Sequence, residues 1–244
     1  MVYFGTGKYL GMTDVSDTSV QTVYGIWDKG STVSGRSDLQ EQKIVSEEGK
    51  TVDGETFTLR ETTDNDVDWA GGKLGWFMDL GHLAAGERVV VKPSLAFSWL
   101  VFVTVVPKDD RCAAGGDSWS FVLDPTTGKR PEIIAMDLNN DGSFDAKDAL
   151  ADGTAPSAVK SDIGILSRPV FFSTSTTASS FDFFSEMTGG TGDAGGHGGS
   201  GTGVTSGSTG STKSTGYADR GGPTSGGPTT PGTPVNRIYW MQIQ

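Results

Sequence analysis

A stretch rich in side-chain oxygens lies in the middle of the sequence, in DLNNDGSFDAKD. Counted from its first aspartate, oxygen ligands fall at positions one, three, five, seven, nine and twelve, with a glycine at position six. This is the spacing of the EF-hand calcium loop, in which alternate residues of a tightly wound loop direct their oxygens to one point. The predicted calcium ligands are Asp137, Asn139, Asp141, the Ser143 carbonyl, Asp145 and Asp148.

Three features refine this predicted site. Gly142 can take the positive φ that the reversal needs, and Phe144 offers an apolar anchor at position eight. Asp148 replaces the usual bidentate glutamate with a shorter side chain, which predicts weaker binding than in a cytosolic calcium buffer. The preceding RPEIIAM is typical of a strand, so a strand-loop-turn site is expected, without regulation by helix opening.

Calcium at this position would neutralise four carboxylates that otherwise repel one another, so the loop would become ordered when the ion binds. The alternative is an ordinary Asp, Asn and Gly turn whose polar groups bond to water and to their own backbone. Five side-chain oxygens at the required spacing favour the calcium site.

Two other acidic stretches are weaker candidates. Asp64, Asp66 and Asp68 share an alternating spacing, but the sixth position from Asp64 is Trp69, which predicts a solvated loop. The DVSDT stretch at 14–18 has the oxygen triad of a metal-dependent adhesion site, but it does not follow the buried parallel strand that such a site needs.

Catalytic and nucleotide-binding motifs are weak. GTGKYLG lacks the glycine spacing and following helix of a phosphate loop. His82 is the best candidate for a general base, but no nucleophile is recognisable beside it, so a structural histidine is preferred. The six tryptophans stand in strand-like runs, where packing is expected to outweigh sugar stacking. We predict that the protein is not an enzyme.

Composition narrows the possible partners. The formal charge of −11 over 244 residues disfavours nucleic-acid binding, which needs clustered Lys and Arg. A single cysteine, Cys112, excludes an internal disulfide, and two histidines leave too few nitrogen and sulfur ligands for zinc. The sequence shows neither a signal peptide nor an apolar run long enough to span a membrane, so membrane insertion is not expected.

Short apolar and β-branched runs separated by Gly, Asp, Asn or Pro make up most of the chain and predict an antiparallel all-β domain, with sandwich and propeller both open. The long run ERVVVKPSLAFSWLVFVTVVP should form two strands joined by a bend. We expect the β-domain to cover residues 1–187, a Gly/Ser/Thr/Pro-rich disordered insertion 188–234, and a closing strand of the same domain 235–244.

Several of these stretches, in this order, resemble the C-terminal region of the PilY-type adhesins of the type IV pilus tip. They are VYFGTGKYLG, SDTSVQTVYGIWD, GWFMDL, GERVVVKPSL, FVTVVPKDDRCAAGGDSWSFVLDPTTG, DLNNDGSFD and RIYWMQIQ. The resemblance implies a partial, quinoprotein-like β-propeller with an EF-hand-like calcium loop, and VLDPTTGK is similar to the blade-end motif of such propellers. It also implies roles in pilus biogenesis, twitching motility and surface attachment.

The resemblance further implies pilins or minor pilins and host or abiotic surfaces as partners. The expected location is the pilus tip at the cell surface, after export by a signal peptide that the chain itself does not carry, which suggests a fragment of a larger propeller. Two alternatives stay open. One is a quinoprotein-like dehydrogenase, and the other is a structural secreted β-module that calcium only staples together.

Overall fold

Nearly all regular structure in the described part of the chain is β-strand. The computed structural model describes residues 1–96, 98–108, 115–161, 164–172, 180–184 and 215–218. Within these ranges the helical elements are a four-residue helix, α1 (Met12–Val15), and a 3₁₀ turn at Arg36–Asp38. The predicted all-β fold is confirmed.

A six-stranded sheet, which we name the central sheet, organises the molecule. Its strands are β4 (Ile44–Val52), β5 (Glu55–Thr62), β7 (Ser94–Ala96), β8 (Trp99–Pro107), β9 (Gly116–Leu123) and β11 (Ala158–Lys160). Their order in the sheet is β4-β5-β11-β9-β8-β7, and every neighbouring pair is antiparallel.

Two four-stranded sheets complete the described strands. The first has the order β1-β2-β6-β3, in which β3 pairs parallel with β6 and the other pairs are antiparallel. The second has the order β10-β14-β13-β12 and is antiparallel throughout. Their strands are β1 (Val2–Gly5), β2 (Thr22–Ile26), β3 (Gln40–Gln42), β6 (Gly75–Asp79), β10 (Met136–Asp137), β12 (Val170–Phe172), β13 (Ser180–Phe184) and β14 (Thr215–Ala218).

Both faces of the central sheet are covered, because side chains alternate along each strand. From β8, Leu100 and Phe102 join one cluster together with Trp76 of the first sheet. Trp99 and Val101 point to the opposite face and pack in a second cluster with residues from the segment that follows β9. Burial on both sides explains why β8 is apolar along most of its length rather than at every second residue.

The long apolar run does form two strands. β7 ends at Ala96 and β8 begins at Trp99, and Ser98 between them has a φ of 68°, in the left-handed region that a tight reversal uses. By contrast, the predicted strand RPEIIAM is reduced to β10, whose two residues are Met136 and Asp137. Ile133 is 47% exposed, so the apolar pattern there marks a surface as well as a core.

The propeller implied by the resemblance stays a prediction. Propeller blades are four-stranded antiparallel sheets. One of the three described sheets, β10-β14-β13-β12, has this form, whereas the central sheet has six strands and the first four-stranded sheet contains a parallel pair. As far as the described strands extend, no sheet closes on itself.

The predicted glycine-rich insertion and closing strand fall mostly outside the described residues. Within 188–234 the structure describes only β14, which pairs with β10 and β13. The predicted strand 235–244 lies wholly outside the described part of the chain. No helix among the described residues has the length and apolar character needed to cross a membrane.

Candidate metal centre

The predicted calcium loop, residues 137–148, is anchored by buried residues at both ends. It begins at the end of β10, where Met136 and Leu138 pack in the cluster on the outer face of the central sheet. It ends beside Leu150, which belongs to the same cluster. The residues at both ends of the loop are therefore buried in one apolar cluster, and the middle of the loop lies at the surface.

The carboxylate of Asp137, at position one, lies at the centre of the loop. It is 5% exposed and accepts hydrogen bonds from the amides of Asp141, at 3.2 Å, and Gly142, at 2.9 Å. Gly142 has a φ of 85°, as its place at position six predicts, and Asn140 reaches 56°. The loop thus winds around the first predicted ligand.

Asp148, at position twelve, closes the loop. It is 1% exposed, and its two carboxylate oxygens accept hydrogen bonds from the amides of Leu138, at 2.8 Å, and Asp145, at 3.2 Å. The side chain of Asp148, which is shorter than the glutamate usual at position twelve, is therefore hydrogen-bonded to backbone amides near both ends of the loop.

The remaining predicted ligands form the outer part of the loop. Asn139 donates from Nδ2 to Asp141 Oδ2 at 2.9 Å, and Asp141 Oδ1 accepts the amide of Ser143 at 2.8 Å. Asp145 is exposed and accepts the amide of Lys147 at 2.8 Å. The structure therefore links the predicted residues by hydrogen bonds within one loop.

The sequence interpretation missed the contacts that the loop makes with the β4–β5 hairpin. Lys50 Nζ donates to the carbonyls of Ala146, in the loop, and Ala149, just after it, and Glu48 Oε1 accepts the amide of Ala151 at 2.7 Å. At the hairpin tip, Asp53 Oδ2 accepts Asn139 Nδ2 at 2.5 Å and lies 3.5 Å from Lys147 Nζ. These partners are about 90 residues away in sequence, so no local spacing could reveal them.

The two buried carboxylates have an unfavourable electrostatic environment. Burial, reinforced by Asp148 and Asp141, raises the pKa of Asp137 to about 6, although two backbone amides oppose that shift. Burial, reinforced by Asp145 and Asp141, also raises the pKa of Asp148. Carboxylates with raised pKa values are stabilised by a nearby positive charge.

The donor set suits a hard cation such as calcium. All predicted ligand atoms are oxygens, Gly142 makes the reversal, and the paired carboxylates lack a buried cationic side chain among the described residues. The loop is not already contracted around an ion position: among the described residues, no three His, Cys, Asp or Glu side chains stand together at metal-binding spacing. Ion binding would therefore draw the carboxylates together.

The other candidates have different surroundings. Lys129 Nζ lies 3.0 Å from Asp66 and 3.6 Å from Asp64, so a lysine of the protein already neutralises part of the charge of this acidic stretch. Asp14 accepts the amides of Leu10 and Gly11, as a local turn does. His82 is exposed. Cys112 and His197 lie outside the described residues.

A second buried charge cluster lies on the other face of the central sheet and was not predicted. Arg60 and Glu87 are both fully buried, and Arg60 Nη1 donates to both carboxylate oxygens, at 2.8 and 2.9 Å. Thr104 donates to Glu87 at 2.6 Å, and the guanidinium lies 3.6 Å from the ring centre of Trp119. Arg60 also bonds Glu47 through Nε at 3.0 Å. This cluster is an internally paired structural element.

Comparison with known proteins gives consistent sequence matches. No protein-family model matches the chain. The type IV pilus biogenesis factor PilY1 of Pseudomonas aeruginosa strain PAO1 is 34% identical over 165 residues, which are 60% of this chain and 14% of that protein. A PilY1 homolog of Xylella fastidiosa strain Temecula1 is 35% identical over 133 residues, 52% of this chain and 9% of the homolog. The chain thus spans a small part of these relatives.

The fold gives the same result. The crystal structure of the Pseudomonas aeruginosa PilY1 C-terminal domain superposes with a TM-score of 0.64 and 27% sequence identity, covering 75% of this chain and 39% of that domain. Sequence and fold together support a PilY-type protein, similar to the C-terminal domain of PilY1.

Proposed function

We propose that the chain is a calcium-binding portion of a type IV pilus-associated tip adhesin that acts in pilus biogenesis, twitching motility and surface attachment. The observation that carries the calcium proposal is the pair of buried carboxylates, Asp137 and Asp148, held by the amides of one loop on a PilY-type fold. The similar proteins are type IV pilus biogenesis factors, which supports the pilus role and favours it over the dehydrogenase alternative.

Six oxygen groups would hold the ion: the side chains of Asp137, Asn139, Asp141, Asp145 and Asp148 and the carbonyl of Ser143. Calcium would supply two positive charges to a loop that otherwise contains four carboxylates and one lysine. The chain's own residues shape the loop, since Gly142 makes the turn and Leu138 and Leu150 fix its ends on the central sheet. The proposed role of calcium is therefore to order this loop at the protein surface.

Isothermal titration calorimetry tests the calcium site directly. We expect the wild-type chain to bind calcium and Asp141→Ala to lose most of that binding, because Asp141 lies in the outer loop, where an ion must draw it inward. Asp66→Ala is a matched control, since Asp66 is an exposed aspartate paired with Lys129 outside the loop. Absence of binding by the wild type, or unchanged binding by Asp141→Ala, would refute the site.

The pilus role is tested in the organism with the full-length gene. Deletion should reduce surface pili and twitching, and the proposed partners are pilins or minor pilins at the tip and a host or abiotic surface. Export to the cell surface and a propeller in the whole protein are parts of the same proposal. Complementation with Asp141→Ala separates an adhesin controlled by calcium from a structural module: the former predicts loss of pilin pull-down or attachment, whereas the latter predicts that both persist.

A further inference from the structure

The loop contains one positively charged side chain, which is not part of the calcium-ligand pattern. Lys147, at position eleven, places its Nζ 3.6 Å from Oδ2 of Asp141, a predicted ligand, and 3.5 Å from Oδ2 of Asp53 at the hairpin tip. Among the described residues, these are the ion pairs that Lys147 makes. The lysine thus bridges the loop and the β4–β5 hairpin.

The backbone that carries Lys147 is held from the hairpin. Lys50 Nζ donates to the carbonyl of Ala146 at 2.8 Å and also to the carbonyl of Ala149, so anchored residues stand on both sides of Lys147. Asp53 is at a turn with a φ of 48° and also accepts Asn139 Nδ2. The lysine is therefore positioned towards Asp141 by two sets of contacts.

Lys147 carries its charge at neutral pH, because the ammonium group of a half-exposed lysine stays protonated there. In the calcium-free loop this charge offsets part of the repulsion among the carboxylates. A divalent ion bound to Asp141 would meet an ammonium group a few ångströms away, and like charges at that separation repel.

We propose that Lys147 is a built-in counter-ion that competes with calcium for Asp141 and lowers the affinity of the loop, with Asp53 as the residue that positions it. This inference rests on the proposed calcium function. It explains how a loop with four carboxylates can keep its internal hydrogen bonds without the ion. A substitution at Lys147 would then change the calcium affinity without removing a ligand.

Calorimetric calcium titration of the full chain at about 0.1 M salt tests the inference. Lys147→Gln should bind calcium about threefold to tenfold more tightly, since one charge a few ångströms from a divalent ion is removed under partial screening. Lys147→Arg keeps the charge and should stay within about twofold of the wild type. Lys43→Gln is the matched control, because β4 separates it from the hairpin tip by about 30 Å, several screening lengths.

The role of Asp53 is tested by a double-mutant cycle. In an Asp53→Asn background, the effect of Lys147→Gln should fall to about twofold or less, because the lysine loses its anchor. An undiminished effect would overturn the positioning role of Asp53.

The outcomes separate this inference from the function it rests on. Calcium binding by the wild type with unchanged affinity in Lys147→Gln would overturn the counter-ion alone. Binding by Lys147→Gln but not by the wild type would support it, as suppression by the lysine. No binding by either protein would overturn the calcium function and the counter-ion together.

Discussion

The two faces of the central sheet bury carboxylates in opposite ways. Between the sheets, Glu87 accepts hydrogen bonds from Thr104 and from Arg60, whose guanidinium stacks on Trp119, so its charge is paired within the protein even though burial raises its pKa. On the outer face, Asp137 and Asp148 accept only backbone amides among the described residues and lie near further carboxylates. A buried acid that has its own cation is structural, whereas a buried pair without one favours a cation from solution.

The largest effect is expected at the buried ion pair between Glu87 and Arg60. Glu87→Gln should lower the free energy of unfolding by about 3–5 kcal/mol, because it removes the one fully buried counter-charge of Arg60 among the described residues and leaves the partly exposed Glu47 as its remaining ion-pair partner. Urea unfolding followed by tryptophan fluorescence measures this loss. Glu61→Gln is the control, since its pair with Arg130 is partly exposed and should cost about 1 kcal/mol or less.

A double variant sharpens this prediction. Arg60→Met with Glu87→Met removes both charges, and much of the lost stability should return, because apolar side chains of similar volume can replace a buried pair. If the double variant is no more stable than Glu87→Gln, packing around Trp119 rather than charge compensation holds this region together.

The same chemical change on the other face should give a different result. Without calcium, Asp137→Asn should stay within about 1 kcal/mol of the wild type, because the loss of one acceptor for an amide is offset by removal of an unfavourable charge. With calcium at about 100 times its dissociation constant, the wild type should gain about 2.7 kcal/mol and the variant almost nothing.

Urea unfolding with and without calcium measures both differences. A loss of several kcal/mol in calcium-free Asp137→Asn would contradict the comparison, since it would show that the carboxylate is already compensated. Equal stabilisation of both proteins by calcium would place the ion elsewhere.

The sequence predicts those parts of the metal centre that depend on spacing within one loop, but not the contacts made by residues distant in sequence. The positions of Asp137, Gly142 and Asp148 follow from spacing within one loop, and the positive φ of Gly142 was predicted from its place in the pattern. Lys50 and Asp53 reach the loop only because the β4–β5 hairpin packs beside it, which is a property of tertiary structure.

The fold shows the same limit. The alternation of short apolar runs predicted an all-β chain, and Pro93 with the following LAFSW stretch predicted the break between β7 and β8. Arg60 and Glu87 gave no signal, since a charged residue in a strand normally indicates the solvent face. Only the sheet packing reveals that both side chains are buried.

An intermediate effect is expected from pH. The pKa of Asp137 in the folded chain is about 6, above its ordinary value of 3.8, so between these values the folded protein holds more proton than the unfolded one. Stability of the calcium-free protein should therefore fall as pH rises from about 4 to about 6, by up to about 2 kcal/mol from this group.

The pH effect is measured as the difference between the wild type and Asp137→Asn in urea unfolding at several pH values. That difference should change across pH 4 to 6 without calcium and should level off above pH 7. A difference that is constant with pH would contradict the raised pKa.

The smallest effect is expected at Asp14. Comparing Asp14 with Asp137 tests whether backbone amides or neighbouring charges set the pKa of a carboxylate that accepts two amides. Like Asp137, Asp14 accepts two backbone amides, but it also lies 3.1 Å from Lys8 Nζ. The amides of Leu10 and Gly11, with help from Lys8, lower the pKa of Asp14 to about 2. Its contribution to stability should be present above pH 4 and lost as pH falls through about 2.

Carboxyl NMR titration of the calcium-free chain should therefore give midpoints of about 2 for Asp14 and about 6 for Asp137. In Lys8→Gln the Asp14 midpoint should rise but remain below 3.8, because the first causes of its shift are the amides. If it rises to 3.8 or above, charge alone governs both sites, and the amides around Asp137 contribute nothing to its ionisation. A midpoint that stays low shows that two amides suffice to stabilise a carboxylate that has little exposed surface of its own. The raised value at Asp137 then arises from burial next to like charges, which is the condition that a calcium ion relieves.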